Sequence, residues 1–151
     1  TLFPYALRSP TQFLRSSYAA FFQFPWVPEA VLRARRMALL SRALERSARQ
    51  GAFTPQDLEA YRQAWSHPGA LTGMLNWYRA LRFRPSFPER ITVPTFVLWG
   101  LKDTALEAGL AEAALAFCDD GRLQTFAEAT HWLHREEVED VNAALLGFLE
   151  G

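Results

Sequence analysis

The chain has 151 residues, half of them hydrophobic, enough to bury a core of ordinary domain size. Its apolar runs, such as Val93 to Leu98 and Tyr18 to Phe22, fall far short of the roughly 20 residues that span a bilayer, so no membrane partner is expected. Net charge is zero but uneven: residues 1–90 hold 13 arginines against 5 acids, and residues 91–151 hold 3 basic residues against 11 acids, which separates two units. Apart from Arg33, Arg35 and Arg36, the arginines sit singly along helical segments. Solvated helix faces account for them, and no nucleic-acid partner is expected. A lone Cys118 excludes an internal disulfide framework and a cysteine-rich metal site. It is compatible with a reducing cytoplasm, and the simple account of it is a small core residue at the end of a helix. The chain begins at Thr1 with neither an initiator Met nor a charged-then-apolar leader, so the expectation is a cytoplasmic protein whose native start is lost or lies elsewhere.

In chain order, residues 1–88 are punctuated like a set of short helices. Ser9-Pro10-Thr11-Gln12 offers a capping Ser, a Pro at the first helical position and a Gln three residues after the cap, and Thr54-Pro55-Gln56-Asp57 repeats the device. Helices are expected at about 10–23, 29–48, 55–65 and 69–82, separated by Pro25/Pro28, Gln50-Gly51 and His67-Pro68-Gly69. From Ile91 the texture changes to strand (93–99), helix (about 105–117), the turn Asp119-Asp120-Gly121, strand (122–126), loop, and helix (136–149). Such alternation predicts an α/β arrangement, a parallel sheet covered on both sides, which accounts for the continuous apolar run Phe96-Val97-Leu98. Two strands alone make a poor sheet.

Asp103 ends the loop after the first strand, and His131 lies in the loop after the second. An acid after one strand and a histidine after the next is the tail of the nucleophile–acid–base order of α/β-hydrolases. A carboxylate accepting from imidazole Nδ1–H fixes the tautomer and stabilises the protonated ring. The order calls for a nucleophile upstream, on an elbow with glycine two residues to either side. No Ser, Asp or Cys of the chain has that flanking, so the sequence looks like the later part of such an enzyme. Glu136, Glu137 and Glu139 suit the positive end of the helix that follows His131. His67 and His134 read as surface residues.

Trp99-Gly-Leu-Lys-Asp103, then Thr130-His-Trp132, Glu136, Val141-Asn142 and the stretch Leu145 to Leu149, together resemble the C-terminal part of the epoxide hydrolase branch of the α/β-hydrolase family. The family more often has Gly at the place of Thr130 and Pro at the place of Val138. Ser16-Ser-Tyr-Ala-Ala-Phe-Phe-Gln-Phe-Pro25 and Leu75-Asn-Trp-Tyr-Arg79 resemble the two stretches of the family's helical cap, each of which supplies one tyrosine to the epoxide oxygen. The resemblance implies a partial α/β-hydrolase fold, with a cap over residues 1–88 and the last two parallel strands with their helices over 89–151. It makes Tyr18 and Tyr78 the donors to the developing alkoxide, and Asp103 and His131 the pair that activates water against a covalent ester. Phe22, Trp77 and Trp132 would contact a small apolar substrate, an epoxide, and the product would be a vicinal diol. Phe13, Phe21, Phe24 and Trp26 would line the same pocket or hold the cap together. No cofactor or metal is implied.

The partner expected first is the missing N-terminal core segment that would carry the nucleophilic Asp. By themselves the 151 residues are expected to be inactive and to self-associate, as a homo-oligomer, through an open sheet edge. A haloalkane or haloacid dehalogenase, or a serine esterase, would share the acid and base; the two matched tyrosines argue against the dehalogenase. A non-catalytic remnant or interaction fragment is the alternative of a different class.

Overall fold

Local signals set the elements. The structure, a computed structural model, describes residues 9–83 and 90–151. In chain order they form α1 (Pro10–Arg15), α2 (Tyr18–Phe21), α3 (Val27–Ser47), α4 (Pro55–Ser66), α5 (Ala70–Ala80) with a 3-10 turn (Leu81–Phe83), β1 (Thr95–Gly100), α6 (Gly109–Leu115), β2 (Gly121–Phe126), α7 (Leu133–Glu136) and α8 (Val138–Glu150). Among the described residues no helix is long and apolar enough to cross a membrane.

Both predicted caps form. Ser9 Oγ accepts from the amide of Gln12 at 3.2 Å. At α4, Thr54 Oγ1 accepts from Asp57 N (3.1 Å) and Asp57 Oδ2 accepts from Thr54 N (2.8 Å), a reciprocal box with Pro55 behind the cap. The single helix expected over 10–23 is instead α1 and α2, parted at Ser16-Ser17. There the backbone bonds run three residues apart, Ala19 N to Ser16 O and Ala20 N to Ser17 O. Serine side chains compete with the helical ladder, which makes this a natural break. α3 is also not the continuous helix expected over 29–48: Arg35, Arg36 and Met37 are left-handed, with φ of 50°, 55° and 58°. That conformation costs about 1–2 kcal/mol per residue. Burial of Met37 beside Leu32, Trp65, Leu71 and Leu75 offsets part of that cost.

The chain divides into two compact units. One is helical and holds Ser16–Arg46 and the chain from Phe53 to the end of the first described stretch, around the Leu32–Leu75 core with Tyr61 stacked on Trp65. The other holds residues 9–15, the short segment Ser47–Ala52 and residues 90–151. The boundary expected between residues 88 and 89 lies outside the described residues, and the division is not one cut, because residues 9–15 and 47–52 join the second unit. Hydrogen bonds explain this. Gln12, only 1% exposed, donates to Ala105 O and accepts from Glu107 N, and the Arg49 amide donates to Glu136 Oε1.

In that second unit β1 and β2 pair in parallel, from Thr95 opposite Gly121 to Gly100 opposite Phe126. Phe148 of α8 packs on Phe96, with ring centroids 5.4 Å apart, and Leu115 of α6 lies over Gly121. Thr95 to Trp99 are each half-buried, and Gly100 alone in β1 is fully buried, so two strands by themselves leave Phe96 and Leu98 partly open. With two strands among the described residues, each strand keeps an open edge.

Candidate active site

Parallel strands in register end on the same side, so the loops that follow them run out together. Here they are tied: Leu101 N donates to Phe126 O and Lys102 N to Ala129 O, both at 2.9 Å. Gly100 lets them approach. A Cβ at that position would lie 2.2 Å from Thr130 O and 2.5 Å from Ala129 O, well inside contact distance. Three residues beyond β1 and five beyond β2, Asp103 Oδ2 and His131 Nδ1 meet at 2.8 Å. This is the contact that the strand order predicted.

The acid is tightly held. Its other oxygen, Oδ1, accepts from the amides of Ala105 (2.7 Å) and Leu106 (2.9 Å), and its side chain is 7% exposed. Burial acts to raise the Asp103 carboxyl, but the hydrogen bonds from His131, Leu106 and Ala105 outweigh it and hold the group below its ordinary range. In turn the hydrogen bond to Asp103 raises His131 above its ordinary value against the opposing effect of burial. With Nδ1–H committed to the carboxylate, Nε2 is the nitrogen that can take up or deliver a proton.

α1 braces the acid loop from behind. Ser9 Oγ donates to Glu107 Oε2 (2.7 Å), Gln12 bonds residues 105 and 107, and Arg15 Nη1 donates to Asp103 O (3.2 Å). The sequence shows Gln12 as part of a helix start. Its reach across 93 residues has no local signal. Trp132, expected to touch substrate, stands edge-on to the His131 ring at 5.4 Å and donates its indole N–H to Ser47 Oγ at 2.9 Å.

In the helical unit Tyr18, Phe22 and Tyr78 come together. The Tyr18 and Tyr78 rings are 5.6 Å apart and edge-to-face, and Phe22 lies 5.5 Å from one and 5.0 Å from the other. Trp77 does not join them. One residue along α5 turns a side chain about 100° away, and Trp77 is 81% exposed. The neighbouring Arg79 is the fastener that sequence reasoning missed. It donates to Phe22 O (3.1 Å) and Phe24 O (2.9 Å) and forms a two-pronged bond to Glu29 (2.7 and 3.0 Å), so α5 grips the segment after Tyr18. Gln23 adds a bond to Tyr78 O. Among the described residues no cluster of His, Cys, Asp and Glu is arranged to hold a metal ion.

No protein-family model matches the chain. Curated relatives do. It is 42% identical over 146 residues to the AB hydrolase superfamily protein YfhM of Bacillus subtilis, covering 93% of this chain and 50% of that protein. It is 37% identical over 153 residues to human epoxide hydrolase 4, covering 97% of this chain and 42% of that one. The chain thus spans about half the length of the curated relatives it matches. Among solved structures, a Bacillus megaterium epoxide hydrolase with an inhibitor superimposes with a TM-score of 0.83 at 22% identity, covering 95% of this chain and 54% of that one. A metagenomic epoxide hydrolase of the α/β-hydrolase superfamily from a hot environment superimposes with a TM-score of 0.72 at 28% identity, covering 93% and 52%. The chain carries part of the α/β-hydrolase fold and resembles the epoxide hydrolase branch of that family, with curated relatives named AB hydrolase and epoxide hydrolase.

Proposed function

We propose that these residues are the cap and the acid–base part of a hydrolase that opens an epoxide on a small apolar molecule to a vicinal diol. The helical unit corresponds to the cap and the strand-bearing unit to the later part of the core. In the first step a carboxylate supplied from outside these 151 residues attacks an epoxide carbon. A C–O ester bond forms, the ring C–O bond breaks, and the oxygen takes a proton from Tyr18 or Tyr78 while the other phenol hydrogen-bonds to it. In the second step His131 removes a proton from water through Nε2 and the hydroxide attacks the ester carbonyl. The ester C–O bond then breaks, the departing diol oxygen takes the proton of the newly formed carboxylic acid so that the carboxylate is restored, and the proton on His131 returns through solvent to the tyrosine that gave one up. Asp103 holds the ring in the required tautomer and stabilises its charge. Without a nucleophile neither step runs, so the 151 residues alone are inactive. The lone Cys118 fits a reducing, cytoplasmic setting.

The observation that carries this reading is the 2.8 Å Asp103–His131 contact at the ends of two neighbouring parallel strands, in a chain whose relatives are named epoxide hydrolases. A single turnover in oxygen-18 water tests it, with the longer protein that contains both nucleophile and these residues. Ester hydrolysis at the carbonyl leaves the first diol unlabelled and puts the label in the enzyme. Label in the first diol means direct attack of water on the epoxide and removes the two-step mechanism.

A further inference from the structure

Glu136 suits the dipole of the helix after His131 by sequence, but it lies at the end of α7, two residues before α8 begins. Its carboxylate turns back to the loop instead. Oε2 accepts from Thr130 N (2.7 Å), and Oε1 accepts from Thr130 Oγ1 (2.7 Å) and from Arg49 N (2.7 Å). Thr130 is 9% exposed, and its hydroxyl also accepts from Trp132 N (3.3 Å). The residue on either side of His131 is therefore tied to one hub, while His131 itself stays free to hold Asp103. On the opposite side the Thr130 carbonyl rests against Gly100, where there is no room for a Cβ. The segment 47–52 completes the clamp. Arg49 donates to Glu137 Oε1 (2.6 Å) and to Glu136 O, Trp132 Nε1 bonds Ser47 Oγ, and Arg135 Nε donates to Ala52 O (3.2 Å).

We propose that Glu136, acting through the Thr130 hydroxyl and amide, is a positioning residue for His131, fixing the loop so that Nδ1 stays on Asp103. This rests on His131 being the base of the proposed function. A half-buried charged acceptor with three donors is expensive to disturb, because each donor would lose a charge-assisted bond. Threonine suits the place better than glycine here: its hydroxyl adds both the second bond to Glu136 and the bond from Trp132.

The test is a ring nitrogen-15 NMR titration of His131 in the full chain, with Asp103→Asn as reference. Thr130→Val has nearly the shape of threonine and changes no charge, but removes both hydroxyl bonds. It should move the His131 pKa down toward its ordinary 6.5 and populate the second tautomer. Glu136→Gln should act in the same direction, and Thr130→Ser, which keeps the hydroxyl, should match the parent. If Thr130→Val does not fold, Thr130→Ala carries the same comparison. Folded Thr130→Val and Glu136→Gln chains whose His131 titrates as in the parent, while Asp103→Asn shifts it, overturn the positioning role and leave the pair intact. If Asp103→Asn also leaves His131 unmoved, both the positioning role and the pair are lost.

Discussion

The acid–base pair and the tyrosine pair are built by opposite means. Asp103 and His131 are placed by backbone: strands in register, loops tied at Leu101–Phe126 and Lys102–Ala129, and a missing Cβ at Gly100. Tyr18 and Tyr78 are placed by side chains, through edge-to-face rings around Phe22 and the Arg79 guanidinium reaching two carbonyls and Glu29. Apart from the Thr130–Glu136 clamp, a backbone-built pair should withstand side-chain changes nearby and fail when a methyl group is forced between its loops. A side-chain-built pair should fail when its one fastener is cut.

The largest effects are on the chemistry of a chain that also carries the nucleophile. Tyr18→Phe and Tyr78→Phe should each slow ester formation by about 10²–10³-fold, the loss expected for one donor to a developing oxyanion. Asp103→Asn should slow ester breakdown instead. Rapid-quench measurement of the two steps separates them, and equal slowing of both steps by either kind of variant would erase the distinction between the pairs. Next is Gly100→Ala, whose methyl must displace the Ala129–Thr130 backbone. It should destabilise the chain by about 1–3 kcal/mol and break the Asp103–His131 contact while leaving the Tyr18–Tyr78 ring contacts unchanged, as NMR of the tyrosine and histidine rings can report. Arg79→Leu should do the reverse.

The pair also predicts a pH profile. His131 is raised, so its contribution to stability is complete below 6.5 and fades as pH rises through the raised value. Asp103 is lowered, so its contribution is complete above 3.8 and fades as pH falls through the lowered value. Thermal melting should therefore show the pair's stabilisation between these limits, and Asp103→Asn should flatten that part of the curve. Smallest is Thr54→Ala, which removes the two bonds of the Thr54 hydroxyl at the start of α4, from Asp57 N and to Asp57 Oδ2. It should cost about 1 kcal/mol by denaturant titration and leave the His131 titration untouched.

The sequence made the acid–base pair legible because its signals are local: an apolar strand, a loop carboxylate, a second strand, a loop histidine. The same held for the caps at Ser9 and Thr54. What it hid depends on long reach. Gln12 bonding residue 107, Arg49 bonding Glu136 and Arg79 bonding Glu29 join positions 95, 87 and 50 apart, where no spacing rule applies. The two helix breaks have other causes: at Ser16-Ser17 serine side chains compete with the ladder inside an otherwise apolar pattern, and at Arg35–Met37 burial of Met37 in the core goes with the left-handed backbone. Tyr18 and Tyr78 stand out only through the family resemblance, because a tyrosine among aromatics on a helix looks like core.

In the proposed mechanism His131 serves the second step and not the first. Intact-protein mass spectrometry of a His131→Ala variant, in the longer chain that includes the nucleophile, tests this directly after mixing with an epoxide. The prediction is a stable adduct equal to the mass of the epoxide, formed in one equivalent and not released. No adduct, or turnover at the parent rate, would contradict it.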